Sequence, residues 1–502
     1  MDRALKRIAL AVLVMFLLLL VNTNYLQAFE ASSLSTRPFN DRASSEAQQT
    51  ERGNIVTADG VTIASSKPSP AGDFYKYQRY YTNGPVYSPV TGYDTLYSTS
   101  GVEQAEDQLL SGSGQQLAVR NFIDMLTNKP QKGATVQLTI NSKAQLAAYQ
   151  GLQAILQGTG HTGGLVALNP STGAILAMAS YPSYDPNLLA VQNGNELNTN
   201  DKKLLQQSPS PLINNATESL LPPGSTFKIV TSSAWFTQNN GKNENSNVSS
   251  PTVLTLPQTT SKLHNDAGEA CGNGSGTTTI LYAFAQSCDT TFGNLGMIVG
   301  GSSLSSTATK FGMNTQNLNI PGVTAATSSY VVPPSLPLTA FSAIGQYNDT
   351  VTPLQEAMFA AAVANNGTLM KPYLVQQATA SDLSVVDSTQ PTTLSNPVSS
   401  TVAGYLQNMM TAVVQQPEGT AYKFNANNEG GLVIAGKTGT AQNQLNGVSS
   451  SPDAVFTSYA PANSTPKIAV GVMIQGAGYG ATEAAPIAVN VIKAYLASVG
   501  QG

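Results

Sequence analysis

Ser225 and Lys228 have the types and the spacing of a serine nucleophile and the base that activates it. They follow two prolines and a glycine, and proline is favoured at the start of a helix. In the first turn of this predicted helix, the dipole and the free N–H groups favour developing negative charge. Lys228 lies one turn further along the same face, within reach of the Ser225 hydroxyl. A lysine amine accepts the hydroxyl proton only where burial or a nearby cation lowers its pKa.

A second group of reactive side chains is predicted on a strand. Lys437, Thr438, Gly439 and Thr440 come just after the apolar run 432–435, which indicates a strand. A glycine at position 439 lets a substrate backbone approach the strand closely. The ammonium and hydroxyl groups beside it suit a carboxylate and a carbonyl. The group therefore indicates a substrate-binding strand, although an ordinary strand end has the same residues.

Ser287 is the third element of this set. It follows an apolar helical stretch that includes Phe284, and Cys288 and Asp289 come directly after it. A hydroxyl at this place suits the transfer of a proton between Lys228 and a leaving amine. Each of the three patterns is common by itself, since a serine cap with a solvated lysine explains the first one equally well. Their combination is the informative signal.

In this order, the Ser-x-x-Lys, Ser-x-Asp and Lys-Thr-Gly groups resemble the active-site set of penicillin-binding proteins and serine β-lactamases. The resemblance extends over nearly the whole chain. It is strongest to class B penicillin-binding proteins, in particular the short actinobacterial transpeptidases of elongation or septation. The further stretches that resemble this class are 52–55, 164–173, 183–187, 344–346 and 351–355.

The resemblance implies a covalent mechanism through Ser225. Its hydroxyl attacks the penultimate carbonyl of a stem peptide ending in D-Ala-D-Ala, while Lys228 takes the proton. The backbone N–H groups of Ser225 and Thr440 form the oxyanion hole, a feature typically worth a few kcal/mol. β-Lactams are trapped as slowly released esters on the same serine.

The same resemblance assigns the leaving group and the substrate contacts. Ser287 and Lys437 pass the proton to the departing D-alanine, while Lys437, Thr438 and Thr440 bind its carboxylate. The amine of a neighbouring stem peptide then attacks the ester and completes the cross-link. No metal or organic cofactor is implied. Analogy within the family suggests a polytopic glycan polymerase as partner, docked through the membrane anchor and the N-terminal domain.

Asp289 departs from the family pattern, which usually has asparagine at this substrate-binding position. Asparagine both donates and accepts hydrogen bonds, whereas an ionised aspartate only accepts them. A negative charge here also raises the pKa of nearby lysines, which works against a neutral Lys228. We therefore expect Asp289 to be protonated or paired with a cation, unless the site is tuned differently.

Two other functions remain open on the sequence alone. A hydrolase, either a D,D-carboxypeptidase or a β-lactamase, forms the same ester. A class A β-lactamase, however, needs a Glu-x-x-Leu-Asn group, and none lies between Ser287 and Lys437. The other alternative is a catalytically weak scaffold, because of Asp289.

The N-terminus predicts a membrane anchor. Three basic residues within 1–7 precede an apolar run, 8–21, which is shorter than the ~20 residues of a full span. The flanking residues to Phe29 complete it, and Tyr25 and Phe29 are suitable interfacial aromatics. Basic residues before the span place the N-terminus in the cytoplasm and the catalytic domain outside. The alternative, a cleaved signal peptide, lacks a clear small-x-small cleavage site.

Composition narrows the possible partners and the compartment. Charged residues make up only 10% of the chain, against a usual ~25%, which suits an exported protein. The net charge of −4 and the lack of a basic run beyond the N-terminus exclude nucleic acid as a partner. Cys271 and Cys288 form no metal-binding pattern, and no metal site is expected. An oxidising exterior favours a disulfide between them over two buried free thiols.

We predict an α+β fold in three parts. Residues 1–29 form a cytoplasmic tip and transmembrane anchor, and 30–150 a pedestal or dimerisation-like domain that is mostly β or irregular. Residues 151–502 form a transpeptidase domain with a central antiparallel sheet flanked by helices. The predicted elements of this sheet and its cover are a hairpin over 165–178, strands over 431–436, 454–459 and 468–474, and a helix over 484–498.

Two local predictions concern the surroundings of this sheet. Ser142 is predicted to cap a helix over 143–157, because apolar residues follow it at helical spacing. Residues 379–400 are predicted to form a polar surface loop of low complexity.

Overall fold

A computed structural model of the chain describes residues 3–26, 30, 49–70, 75–117, 131–423, 431–442, 444–445, 448–449 and 451–500. The chain begins with a 23-residue helix, Arg3–Tyr25. Its segment Lys6–Tyr25 is long and apolar enough to cross a membrane. Residues 27–29, which we expected to complete the span, lie outside the described residues.

The other secondary-structure elements are numbered in chain order, with Arg3–Tyr25 as α1. The further α-helices are α2 (Gly84–Thr91), α3 (Gly101–Ala105), α4 (Asp107–Leu110), α5 (Ser142–Leu156), α6 (Gly194–Leu205), α7 (Lys228–Gln238), α8 (Ile280–Ala285), α9 (Asp289–Val299), α10 (Gly301–Lys310), α11 (Leu336–Ser342), α12 (Pro353–Ala364), α13 (Ser400–Gln415) and α14 (Ala484–Ser498). The strands are β1 (Ile55–Val56), β2 (Thr62–Pro68), β3 (Tyr77–Tyr81), β4 (Thr135–Leu138), β5 (Gly163–Leu168), β6 (Ile175–Tyr181), β7 (Asn247–Ser250), β8 (Val253–Thr255), β9 (Lys262–His264), β10 (Gly276–Thr279), β11 (Leu369–Met370), β12 (Val375–Thr379), β13 (Val385–Ser388), β14 (Thr393–Ser395), β15 (Ala435–Ala441), β16 (Gln444–Leu445), β17 (Val448–Ser449), β18 (Asp453–Ala460) and β19 (Ile468–Ile474).

The central sheet has the order β15-β18-β19-β5-β6, and all its neighbouring strands are antiparallel. This confirms the predicted sheet, which is assembled from both ends of the C-terminal segment. The strand predicted over 431–436 instead begins at Ala435 and runs through the Lys-Thr-Gly group. Its partner β18 ends at Ala460 and is followed by Pro461, which has no N–H to donate, so residues 432–434 lie beyond the ladder.

Helices cover both faces of the central sheet. Helices α5 and α14 pack on one face, and α12 packs on the other. Every residue of α12 is buried. A Cβ atom on Gly471 of β19 would lie 2.3 Å from the backbone nitrogen of Ala357 in α12. The glycine therefore lets the helix backbone lie almost directly on the strand.

The predicted helix over 143–157 is present, but its cap was wrong by one residue. The Asn141 side chain accepts hydrogen bonds from the N–H groups of Lys143 and Ala144. Asparagine is a good cap because its side-chain oxygen reaches the free N–H groups of the first turn. Ser142 instead donates from its hydroxyl to Asp59 Oδ2, at 2.5 Å.

The N-terminal region is built on a second, six-stranded sheet with the order β13-β12-β4-β1-β2-β3. Strands β12 and β13 come from much later in the chain, and Ala378 pairs with Val136 of β4. The surface loop predicted over 379–400 was therefore wrong, because β13 and β14 lie within it. Polar residues fit these strands because both strands are largely exposed, so the usual apolar alternation is missing.

A buried ion cluster fixes the N-terminal region. Glu103 is fully buried and binds Arg52 Nε at 2.7 Å and Arg79 Nε at 2.6 Å, one with each carboxylate oxygen. Tyr81 donates a further hydrogen bond to it at 3.1 Å. Burial by itself raises the pKa of the Glu103 carboxyl, but the two guanidinium groups outweigh burial and hold this pKa below its usual value.

Glu103→Ala is expected to lower the free energy of unfolding by about 3–5 kcal/mol, because it leaves buried guanidinium groups without their counter-charge. The matched control is Asp107→Ala. Asp107 also binds Arg52, at 2.7 Å, but its side chain is 48% exposed, so about 1 kcal/mol or less is expected. Urea unfolding of the two variants measures the difference. Equal losses would contradict the assignment of Glu103 as the centre of the cluster.

Candidate active site

Ser225 lies in a short 3₁₀ turn, Gly224–Phe227, that leads into α7. The prediction of a first α-helical turn was therefore close but not correct, and the α-helix proper begins at Lys228. Gly224 has a positive φ of 56° and donates its N–H to the carbonyl of Gly345 at 3.0 Å. A Cβ on Gly345 would lie 2.1 Å from Gly224 O, so only glycine fits there. The turn is thus clamped from behind and leaves Ser225 partly exposed at the edge of a cleft.

Lys228 is fully buried and hydrogen-bonded at its Nζ atom. This atom donates to Asp289 Oδ1 at 2.6 Å, to Ser287 O at 2.7 Å and to Ser287 Oγ at 3.1 Å. Within the described part of the chain, no hydrogen bond joins Lys228 Nζ to Ser225 Oγ. The Lys228 amine, which we expected to bind the Ser225 hydroxyl, therefore donates its hydrogen bonds to Asp289 and Ser287 instead.

The Ser287 hydroxyl lies between two lysine side chains. Lys437 Nζ donates to it at 2.8 Å, opposite the contact with Lys228, and also donates to Thr438 O at 3.0 Å. Ser287 has a positive φ of 63°, in the left-handed region that non-glycine residues rarely occupy. This backbone conformation, just after α8, directs its carbonyl and its hydroxyl to Lys228 together. Such backbone strain is typical of functional sites.

The two lysines of this site have lowered pKa values. Burial is the largest cause for both, and it lowers the pKa of Lys437 well below the usual value, with the charge of Lys228 as the second cause. Burial also lowers the pKa of Lys228, against the opposing effect of Asp289. Two buried ammonium groups on one hydroxyl repel strongly, so they do not both stay charged. We infer that Lys437 is the neutral amine and that Lys228 holds the proton.

Asp289 forms an ion pair with the buried Lys228 and is itself 23% exposed. It is the first residue of α9, where the helix dipole favours a negative charge. The structure therefore has Asp289 paired with a cation, which is one of the two arrangements expected from the sequence. As expected, the charge of Asp289 raises the pKa of Lys228, but the lowering of this pKa by burial is larger.

Strand β15 forms the wall of the cleft opposite α9. Thr438 shares a hydrogen bond with Thr420, with 2.6 Å between the two hydroxyl oxygens, and Thr440 is partly exposed. Thr420 was not predicted, because an isolated threonine after a Pro-Glu-Gly turn has no distinctive pattern. The Gly224 backbone lies against this strand: a Cβ on Gly224 would lie 3.0 Å from Thr440 O. The backbones of the nucleophile turn and of β15 therefore meet.

The structure requires glycine at position 439 for a different reason from the one predicted. A Cβ at this position would lie 2.7 Å from Pro223 O and 3.0 Å from Val455 Cβ. The space beside the glycine is therefore filled by the turn that carries Ser225, not left open for a substrate backbone. Glycine is required here because the strand and the nucleophile turn pack backbone to backbone.

A disulfide between Cys271 and Cys288 borders the site, with the Cα atoms 5.8 Å apart. Cys288 lies between Ser287 and Asp289 in the chain, so the bond ties the segment after β9 to these two residues. The open cleft in front has a volume of about 960 Å³. Its polar lining includes Ser225, Ser287, Asp289, Thr420, Thr438 and Thr440, and its rim includes His264, Asp266, Glu269, Glu418 and Lys423.

Gly439→Ala is expected to lower the free energy of unfolding by about 1–3 kcal/mol, because its Cβ displaces Pro223 or Val455. Gly404→Ala in α13 is the matched control, since nothing lies within 4 Å of its added Cβ. That exchange is expected to be neutral or to stabilise by up to about 1 kcal/mol, because alanine favours a helix. Thermal unfolding compares the two. A Gly439→Ala protein as stable as the unchanged chain would contradict the close packing.

Two family models match the chain. One, described as the penicillin binding protein transpeptidase domain, matches residues 163–493. The other, described as the penicillin binding protein A dimerisation domain, matches residues 52–136. Together they span the central sheet, the site and most of the N-terminal sheet.

Curated relatives and solved structures agree with these matches. The chain is 38% identical to the peptidoglycan D,D-transpeptidase PbpA of Mycolicibacterium smegmatis over 505 residues, 99% of each chain. It is 36% identical to PbpA of Mycobacterium tuberculosis, again over 99% of each chain. The ceftriaxone acyl-enzyme of M. tuberculosis penicillin-binding protein A superposes with a TM-score of 0.83 at 34% identity, covering 90% of this chain and 100% of that one. By the transpeptidase family model and by its identity with these relatives, this chain belongs to the penicillin-binding protein transpeptidase family.

Proposed function

We propose that this chain is a peptidoglycan D,D-transpeptidase that cross-links stem peptides through an acyl-enzyme on Ser225. The observation that carries the proposal is the Ser287 hydroxyl, held between two buried lysine amines at 3.1 and 2.8 Å beside the Ser225 turn. The relatives named above as D,D-transpeptidases and the β-lactam acyl-enzymes of the similar structures support it.

Acylation begins with a proton shift between the two lysines. Lys228 holds a proton in the resting site and is therefore not yet a base. The Ser287 hydroxyl accepts a proton from Lys228 and passes its own to the neutral Lys437. Lys228 is then free to take the Ser225 proton while Ser225 Oγ attacks the penultimate carbonyl of D-Ala-D-Ala. The backbone N–H groups of Ser225 and Thr440 stabilise the oxyanion.

Collapse of this intermediate reverses the proton path. The bond between the carbonyl carbon and the amine of the terminal D-alanine breaks, and the ester on Ser225 remains. Lys437 returns its proton through Ser287 to the departing amine. Thr438 and Thr440 bind the D-alanine carboxylate, with Thr420 orienting the Thr438 hydroxyl. The acceptor amine then attacks the ester carbonyl and loses its proton to the same relay, while the bond to Ser225 Oγ breaks and Lys228 returns a proton to that oxygen.

Asp289 has two roles in this scheme. Its charge holds the resting proton on Lys228, and its exposed part accepts a hydrogen bond from a substrate amide. The departure from asparagine therefore shifts the working pH of the site and does not remove its base.

The N-terminal segments serve localisation. The apolar helix Arg3–Tyr25 acts as a single membrane anchor, with the basic N-terminus in the cytoplasm and the catalytic domain outside. Residues 30–150 form the pedestal, and 151–502 the transpeptidase domain. A polytopic glycan polymerase is the proposed partner, contacted through the anchor and the pedestal.

Ser225→Ala tests the nucleophile. The full-length chain in detergent is incubated with a fluorescent penicillin and digested, and the labelled peptide is sequenced. We expect a stable adduct on Ser225 that is absent from the Ser225→Ala variant and kept in Ser171→Ala, a surface control. A stem-peptide donor with an added acceptor amine should yield the amide product. Rapid release of the label, or the free acid alone as product, would favour the hydrolase, and no adduct at any pH the scaffold.

Asp289→Asn is expected to move the acid limb of the acylation profile to lower pH. Removing the carboxylate lowers the pKa of Lys228, so the amine becomes neutral at a lower pH. The measurement is the rate of labelling by fluorescent penicillin between pH 5 and 9. Asp387→Asn, at an exposed carboxylate on β13, is the control and should leave the profile unchanged. An unchanged acid limb in Asp289→Asn would exclude Lys228 as the base.

A further inference from the structure

Glu356 is a carboxyl group buried below the nucleophile turn, outside the cleft. It lies in the middle of α12 and is fully buried. Its Oε1 atom lies 2.7 Å from the hydroxyl of Thr226, the neighbour of Ser225. Its Oε2 atom has no hydrogen-bond partner among the described residues, and none of their cations forms an ion pair with it. A buried carboxylate without a partner is very costly, so its protonation state needs an explanation.

The hydrogen atoms around Thr226 decide that state. The Thr226 oxygen lies 2.8 Å from Pro223 O and 2.7 Å from Glu356 Oε1, but a hydroxyl has only one hydrogen to donate. A carbonyl only accepts, so this hydrogen points to Pro223. The contact with Glu356 is then a hydrogen bond only if the carboxyl group donates. Burial agrees with this, since it raises the pKa of Glu356 to about 8.

We propose that Glu356, as a neutral carboxylic acid, is a positioning residue for Ser225. It donates to Thr226, which donates to Pro223, so the hydrogen-bond chain joins α12 to the turn that presents the nucleophile. Pro223 O is also the atom against which Gly439 packs. Glu356 thereby fixes the Ser225 turn against β15 without touching the substrate. The activity part of this inference rests on the proposed function.

Ionisation of Glu356 is the event that distinguishes positioning from simple space filling. A carboxylate only accepts, so the Thr226 hydrogen turns to Glu356 and releases Pro223. The titratable groups on the elements packed against α12 are Asp453 and Tyr459 on β18, Tyr405 on α13, and Lys228 after the turn. A Glu356→Gln variant leaves all four unchanged and removes only the titration of Glu356, while its amide still donates to Thr226.

The test uses the full-length chain and the rate of acylation by fluorescent penicillin between pH 6 and 9.5. The unchanged protein should lose acylation rate with a midpoint near pH 8, because Glu356 ionises there. Glu356→Gln should stay within about threefold of it at pH 6.5 and lack this alkaline loss. Glu356→Leu, which has no donor, should be slower by about tenfold at pH 6.5, the effect of one lost hydrogen bond.

Met358→Ala controls for a general loss of stability, because Met358 lies in the same helix and packs against Gly312, away from Thr226. It should lower the melting temperature with little change in the acylation rate. An alkaline loss that persists in Glu356→Gln would overturn the proposal. So would a Glu356→Leu protein that acylates at the unchanged rate, or a Met358→Ala protein slowed as much as Glu356→Leu.

A second measurement, the pH dependence of the melting temperature, tests the protonation state of Glu356 without using acylation activity. The folded chain holds the Glu356 proton up to about pH 8, whereas the unfolded chain releases it near pH 4.5. The folded state therefore binds more protons between these values and loses stability as pH rises through them. The melting temperature of Glu356→Gln should rise relative to the unchanged chain from pH 5 to pH 8, and a constant difference would overturn the proposal. Failure to label Ser225 in the unchanged chain at every pH would instead refute the proposed function, and the melting data would still decide on Glu356.

Discussion

Two buried amines on one hydroxyl are the interaction on which this site depends. Lys228 and Lys437 are both fully buried and both bind Ser287 Oγ, and like charges so close together cannot both persist. Burial lowers the pKa of both amines, and the negative charge of Asp289, which is hydrogen-bonded to Lys228, acts against burial. The chemistry therefore follows from where the fold buries these side chains as much as from their types.

The scaffold keeps this arrangement through backbone contacts at glycines. Gly439 admits the Ser225 turn against β15, Gly345 admits it from behind, and Gly471 brings α12 onto the sheet. Each contact joins elements that are distant in the chain. A turn held by backbone on two sides has little freedom to shift, which is what a nucleophile needs when a small displacement lowers the rate.

The sequence predicts those parts of the fold whose structure depends on residues close together in the chain. The hairpin and the terminal strands of the central sheet have apolar runs and turn residues, and the three motifs identify the reactive side chains. The charge state of Lys228 was not predictable in the same way, because it depends on the balance of burial and Asp289 in three dimensions. The contacts of Thr420 and Glu356 could not be predicted from the residues next to them in the sequence. Thr420 contacts Thr438, and Glu356 contacts Thr226, which lies 130 residues away in the chain.

Errors in the prediction have the same physical origin. Strands β13 and β14 were taken for a loop because their residues are polar and exposed, yet β13 pairs with β12 and β14 pairs with β11. Ser142 was chosen as a cap over Asn141, although both types can cap, since only the structure reveals that Asp59 binds the serine. In each case a partner outside the segment overrides the local preference.

The shared N-terminal sheet also constrains the order in which the chain can fold. The hydrogen bond between Gln377 and Gln137 links residues 240 positions apart, so β4 stays an open edge until the later segment has been synthesised. Open strand edges invite pairing with other chains. A nascent chain therefore exposes such an edge while 240 further residues are synthesised. The six-stranded sheet is therefore complete only after β12 has paired with β4.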